Sequence, residues 1–149
     1  MKVSEILAIK GTVLYTIAPG KTLADAIAVM SEQDVGSLVV FDGGLMAGML
    51  TFREVLNAVK KNGNHWSDVK IADVMVHDPI VAVPDMDLDE LRRLMIDCHM
   101  RYLPVMDGSM LMGVISFHDV AKAVLEEQSF ENRMLKAYIR DWPAEPGVV

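Results

Sequence analysis

The stretch Gly48-Met49-Leu50-Thr51-Phe52-Arg53-Glu54 returns 65 residues later as Gly113-Val114-Ile115-Ser116-Phe117-His118-Asp119. Each copy reads glycine, two apolar residues, a hydroxyl, Phe, a basic residue and an acid. The apolar pair is β-prone. The hydroxyl followed three positions on by a carboxylate is the pattern of a helix start. The stretch therefore marks a strand turning into a helix, and it does so twice.

The same spacing extends outward without a gap. It takes Pro19 to Pro84, Leu23 to Leu88, Met30 to Met95, Val40 to Val105 and Asp42-Gly43 to Asp107-Gly108. On the far side it takes Val55 to Val120 and Ala58-Val59 to Ala123-Val124. Glycines, prolines and acids match at one fixed spacing together with the apolar positions, which identifies an internal repeat. Each unit opens on a β-prone run, Tyr15-Thr16-Ile17 or Ile80-Val81-Ala82-Val83. A helix follows, with Leu23, Ala26, Ile27 and Met30 on one face of the first and Leu88, Leu91 and Met95 on one face of the second. Thr22-x-x-Asp25 and Asp87-x-x-Glu90 supply N-caps. Two strands come next, over 38–41 and 45–50, then 103–106 and 110–115. Asp42-Gly43-Gly44 and Asp107-Gly108-Ser109 form the hairpin turns. A second helix begins near Phe52 and Phe117. The fold class is α/β (α+β), two tandem β-α-β-β-α repeats.

The units divide as 1–62 and 68–126, joined through the polar run Lys61-Asn62-Gly63-Asn64-His65. Residues 127–149 form a C-terminal helix extension to about Arg140 and a tail. Pro143 and Pro146 end that helix, and the tail frays beyond Trp142.

Composition narrows the function. The chain has 149 residues, 52% of them hydrophobic, with a net charge of −7. No apolar run reaches the ~18–20 residues of a membrane span, and the N-terminus does not read as a signal peptide. Nucleic-acid binding needs clustered Lys and Arg, which are absent. Cys98 is the lone cysteine, so no internal disulfide forms and a reducing, cytoplasmic setting is expected. Cys98 lies on the apolar helix as a buried, inert thiol. His65, His77, His99 and His118 lack metal-ligand spacing, so no metal site is expected. The run Asp85, Asp87, Asp89 and Glu90 complements a helix dipole. The 12 Met residues read as core filling. No spacing supports a nucleophile with its base, and an enzyme is not expected.

A unit of β-α-β-β-α that ends in Gly-apolar-apolar-Ser/Thr-x-x-Asp resembles the CBS domain. The run Met100-Arg101-Tyr102-Leu103-Pro104-Val105 also resembles a strand of that family. The resemblance covers residues 3–124 and implies two repeats packed as a pseudo-two-fold pair. It also implies clefts between them that take AMP, ADP, ATP, S-adenosylmethionine or an NAD-type ligand, with no cofactor required. By the same resemblance Asp119 holds the ribose hydroxyls, and Ser116 and His118 approach phosphate with Arg101 nearby. Thr51, Arg53 and Glu54 are the counterparts in the first unit, where Glu54 departs from the family's Asp. The implied adenine pocket draws on Thr16, Ile17, Val35, Ser37, Val81, Val83, Met100, Tyr102 and Pro104. Residue chemistry is compatible with this. A helix start favours an anion, Gly113 permits close backbone approach, and a carboxylate can accept both hydrogens of a diol.

The same residues allow plainer roles. Thr51-x-x-Glu54 and Ser116-x-x-Asp119 can be capping boxes alone. Arg53 and His118 can be phosphate contacts or solvated helix residues, and Arg101 can face the cleft or cap a helix end. Two functions follow: an adenine-nucleotide-binding regulatory module, or a ligand-independent interaction scaffold with vestigial clefts. In the first, the output acts on a protein target not identifiable from sequence, or on the chain's own oligomer. Apolar helix faces in excess of what one sheet covers point to a homodimer, with the long last helix near the interface.

Overall fold

In a computed structural model, residues 1–11 and 13–141 are described. In chain order the elements are α1 (Val3–Lys10), β1 (Thr16–Ile17), α2 (Leu23–Gln33), β2 (Ser37–Asp42), β3 (Leu45–Thr51) and α3 (Phe52–Asn62). After two short 3₁₀ turns, Gly63–Asp68 and Ile71–Asp73, come α4 (Leu88–Asp97), β4 (Tyr102–Asp107), β5 (Met110–Ser116) and α5 (Phe117–Arg140).

The repeat spacing holds in three dimensions. Ser37 pairs with Thr51 as Tyr102 pairs with Ser116, and Val40 pairs with Gly48 as Val105 pairs with Gly113. Both hairpins bulge at the same place, after Val40 and after Val105. Both turns are two-residue loops, but they differ. Gly43 and Gly44 both take positive φ, the type I′ pattern. In the second turn only Gly108 does, the type II′ pattern, which lets Ser109 stand where Gly44 does.

The opening runs differ from the sequence reading. β1 is a two-residue strand parallel to β2, with Ile17 opposite Val40. Its counterpart, Ile80-Val81-Ala82-Val83, shrinks to one parallel bridge, Ala82 to Val105. Pro79 and Pro84 bracket that run and limit how far its amides can enter a ladder. The polar segment over 61–65 is not an open loop, because α3 continues to Asn62 and passes into a 3₁₀ turn. α5 runs to Arg140 as its periodicity implied, while the expectations for Trp142, Pro143 and Pro146 lie outside the described residues.

Two cores form, and each borrows from the other half. Ile71 is fully buried among Leu23, Leu38, Leu50 and Val55. Val3 and Ile6 of α1 pack among Leu88, Leu91, Leu103 and Ile115. Backbone bonds repeat the exchange: Leu23 N–H donates to Val69 O, Ile71 N–H to Lys21 O and Ala72 N–H to Pro19 O. In the other half Leu88 N–H donates to Met1 O, Val3 N–H to Met86 O and Ser4 N–H to Pro84 O. An isolated eight-residue helix is marginal in water, so α1 owes its order to the second core. The exchange fixes α1 beside the start of α5, which matters for the site.

Candidate functional site

Both copies of the opening motif begin a helix with reciprocal side-chain bonds. Ser116 Oγ accepts from Asp119 N–H at 3.1 Å, and Asp119 Oδ2 accepts from Ser116 N–H at 2.8 Å. At α3 the longer Glu54 accepts through Oε1 from both Thr51 N–H and Thr51 Oγ1, each at 2.8 Å. Thr22 and Asp25 form the same box at α2. Asp87 makes no side-chain cap at α4 and lies 3.7 Å from Lys2 Nζ. The chain exchange brings Lys2 there, which the sequence could not show.

Two clefts lie between the repeats, related by the pseudo-two-fold. The first, about 610 Å³, joins the start of α5 (Ser116, Phe117, His118) to Val13, Leu14 and Tyr15 and to residues 33–37 of the other repeat. The second, about 540 Å³, joins the start of α3 (Thr51, Phe52, Arg53, Glu54) to Asp78, Pro79 and Ile80 and to His99 and Met100. Both volumes are in the range of small-molecule sites. Arg101 and Tyr102 border both clefts. Tyr102 and Phe52 close in on Gly36, where a Cβ would collide with both rings, so only glycine fits between the clefts.

The residues singled out from sequence separate into two groups. Val35, Ser37, Arg101, Tyr102, Ser116 and His118 come together in the first cleft, and Thr51, Arg53, Glu54, Met100, Arg101 and Tyr102 in the second. Thr16, Ile17, Val81, Val83, Pro104 and Asp119 line neither. Ile17 points into the first core, Thr16 alternates outward, and Pro104 is buried within β4. Val81 and Val83 flank the bridge at Ala82 rather than a continuous strand.

Asp119, 17% exposed, lines not the first cleft but a neighbouring hollow of about 220 Å³ that it shares with Lys10 and His118, and it pairs with Lys10 Nζ at 2.6 Å. The same ammonium donates to Val114 O at 2.7 Å. Burial pushes the Asp119 carboxyl up, but the Lys10 ammonium and the Ser116 amide outweigh it and hold it below the ordinary range. Lys10 and His118 also line the first cleft. Sequence reading missed Lys10 and Tyr15, and the register that places Lys10 depends on α1 crossing to the second repeat. In the second cleft Arg53 Nη2 donates to His99 O at 2.8 Å, a bond across the repeats. His99 lies just past the end of α4 and holds a positive φ of 54°.

Cys98 is half-buried at the end of α4. Met30, Met49 and Met95 are core residues, but Met110, Met112 and Met134 are exposed, so core filling covers only some of the methionines. Among the described residues no cluster of His, Cys, Asp or Glu is arranged to hold a metal, and no helix is long and apolar enough to cross a membrane.

Comparison with known proteins agrees with this architecture. The CBS domain matches residues 3–61 and 71–126. The chain is 32% identical over 124 residues to the CBS domain-containing protein CBSX3, mitochondrial, of Arabidopsis thaliana, covering 80% of this chain and 60% of that protein. It is 27% identical over 118 residues to the CBS domain-containing protein YhcV of Bacillus subtilis, covering 79% of this chain and 84% of that one. The solved structure of a protein with CBS domains from Burkholderia ambifaria superposes with a TM-score of 0.80 at 32% identity, covering 86% of this chain and 96% of that one. A structure of CBSX2 in complex with AMP superposes at 0.72 with 23% identity, covering 85% of this chain and 98% of that one. The matched region is thus a regulatory CBS pair and not a catalytic domain. With two repeats in register, two exchanged cores and two clefts at the repeat boundary, the chain belongs to the CBS-domain family.

Proposed function

We propose that this CBS pair binds an adenine nucleotide, AMP first among them, in the cleft at the start of α5, and that occupancy regulates a protein target or the chain's own homodimer. The observation that carries the reading is the meeting of Lys10, Arg101, Ser116 and His118 in one cleft, with Tyr15 and Val35 also lining it. Cationic and hydroxyl groups suit phosphate, and the aromatic and apolar side chains suit a flat base. Both short hydrogen bonds on the Asp119 carboxylate fall on Oδ2, so Oδ1 is the oxygen offered to a ribose hydroxyl. AMP in the related CBSX2 structure supports this ligand class.

The second cleft is the weaker site in this reading. Glu54 is committed to Thr51, and Asp78 adds negative charge near the expected phosphate. The alternative of a ligand-independent scaffold is favoured by one observation, that Asp119 is already engaged as a cap and an ion pair. The lone thiol favours a reducing compartment, the cytoplasm, although one relative is named as mitochondrial. Isothermal titration with AMP decides between the two readings. Saturable binding lost in Asp119→Ala supports the sensor, and no heat of binding supports the scaffold.

A further inference from the structure

The repeat spacing pairs Arg101 with Gly36, and at this position the two halves part. Their backbones do the same work. Gly36 O accepts from Phe52 N–H at 3.2 Å where α3 starts, and Arg101 O accepts from Phe117 N–H at 2.7 Å where α5 starts. A faithful two-fold copy would give each half its own arginine here. Gly36 forbids it, because a Cβ would collide with the rings of Tyr102 and Phe52. One guanidinium therefore stands where a symmetric pair would have two, and Arg101 lines both clefts.

The surroundings leave that guanidinium uncommitted. Arg101 is exposed, and among the described residues its side chain has no hydrogen bond or ion pair. The first cleft also holds Lys10 and His118. In the second cleft Arg53 is spent on His99 O, and Glu54 and Asp78 bring negative charge. With Arg53 spent, Arg101 is the arginine left to an anion there. A guanidinium fork grips one phosphate through two parallel hydrogen bonds. Turned toward one cleft, it is lost to the other.

We propose that Arg101 is one cation shared by the two clefts, drawn to the phosphate of whichever fills first, so that AMP in the first cleft weakens AMP binding in the second. The coupling is reciprocal: AMP in the second cleft weakens the first by the same factor. It also requires a phosphate. Adenosine makes no claim on the guanidinium and leaves the clefts independent. The inference rests on the nucleotide reading above and adds to it the influence of one cleft on the other.

The test is isothermal titration of the full chain with AMP and with adenosine. Wild type is compared with Lys10→Met/Asp119→Ala, which disables the first cleft by removing both partners of one ion pair and leaves neither charge unpaired. Wild type should bind AMP in two events, the second in the second cleft with the first already filled. The disabled variant should bind AMP in the second cleft about tenfold more tightly than that second event, because Arg101 is free to turn there. Adenosine should bind the second cleft equally in both proteins. Adding Arg101→Met to the disabled variant should return AMP to the affinity of the wild-type second event. In wild type, Arg101→Met alone should weaken the first event about tenfold and leave the second within about twofold, and this arm needs no disabled cleft. Equal AMP affinity of the second cleft in both proteins would overturn the coupling and keep the nucleotide reading. A gain for adenosine as large as that for AMP would overturn Arg101 as its carrier. No saturable AMP binding by wild type would overturn both readings.

Discussion

Lys10 Nζ lies 2.6 Å from Asp119 Oδ2, although 109 residues separate them. The pair joins the end of α1 to the cap of α5, and its lysine lines the first cleft. It exists because α1 packs on the second core rather than on the repeat that follows it in sequence. One ammonium thus serves both a structural carboxylate and the space where a phosphate is proposed to sit.

Replacing Lys10 by Met separates those roles. Lys10→Met should weaken AMP binding about tenfold while leaving adenosine, which has no phosphate, within about twofold. Thermal melting without ligand should fall modestly, consistent with the loss of about 1–2 kcal/mol from a half-buried charged hydrogen bond. Calorimetry with the two ligands reads the difference. Equal losses for AMP and adenosine would show that Lys10 does not meet the phosphate.

The same pair sets an acid limit. The folded carboxyl of Asp119 titrates below its unfolded value of about 3.9. Its contribution to stability is therefore complete above that pH and is lost as pH falls through the folded value. Wild type should lose melting temperature more steeply below about pH 4 than Asp119→Asn does, and the curves should run parallel above about pH 5. Melting scans from pH 2 to 7 provide the check. Parallel curves throughout would mean that the pair contributes nothing.

Core exchange predicts which residues hold the halves together. Ile71 follows the first repeat in sequence yet is fully buried in the first core. Ile71→Ala should cost about 2–5 kcal/mol in urea unfolding. A fragment of residues 1–62 lacks Ile71 and the second core that α1 needs, so it should show no cooperative transition. A cooperative transition of that fragment would contradict the exchange.

Much of this was legible before any coordinates. The spacing between Gly48 and Gly113 located both hairpins and both helix starts, because a repeat copies local chemistry; the bulges after Val40 and Val105 carried no such signal. Val35, Ser37, Arg101, Ser116 and His118 reached one cleft because they lie at strand ends beside the repeat boundary. Lys10 and Tyr15 were missed because their place depends on which core α1 chooses, a tertiary decision with no local signal. Ile17 and Pro104 were assigned to an adenine pocket, yet strand alternation turns Ile17 inward and the sheet buries Pro104. Asp87 looked like a cap, but Lys2 competes for its carboxylate once the halves exchange their ends.

The two clefts should not bind alike. Glu54 spends the same carboxylate oxygen on two bonds from Thr51, and Asp78 lines that cleft. Glu54→Ala should change AMP affinity by less than about threefold, against at least tenfold for Asp119→Ala. The reverse order in titration would move the principal site to the start of α3.

The central claim is that Asp119 holds a ribose diol as well as capping α5. Calorimetry of two proteins against two ligands at fixed pH tests it most directly. Asn caps about as well as Asp, so Asp119→Asn keeps most of the local order and loses an acceptor oxygen. Wild type should bind AMP saturably and 2′-deoxy-AMP at least tenfold more weakly. Asp119→Asn should bind AMP at least tenfold more weakly than wild type and discriminate little between the two. No saturable binding by wild type, or an equal loss for both ligands on substitution, would contradict the account.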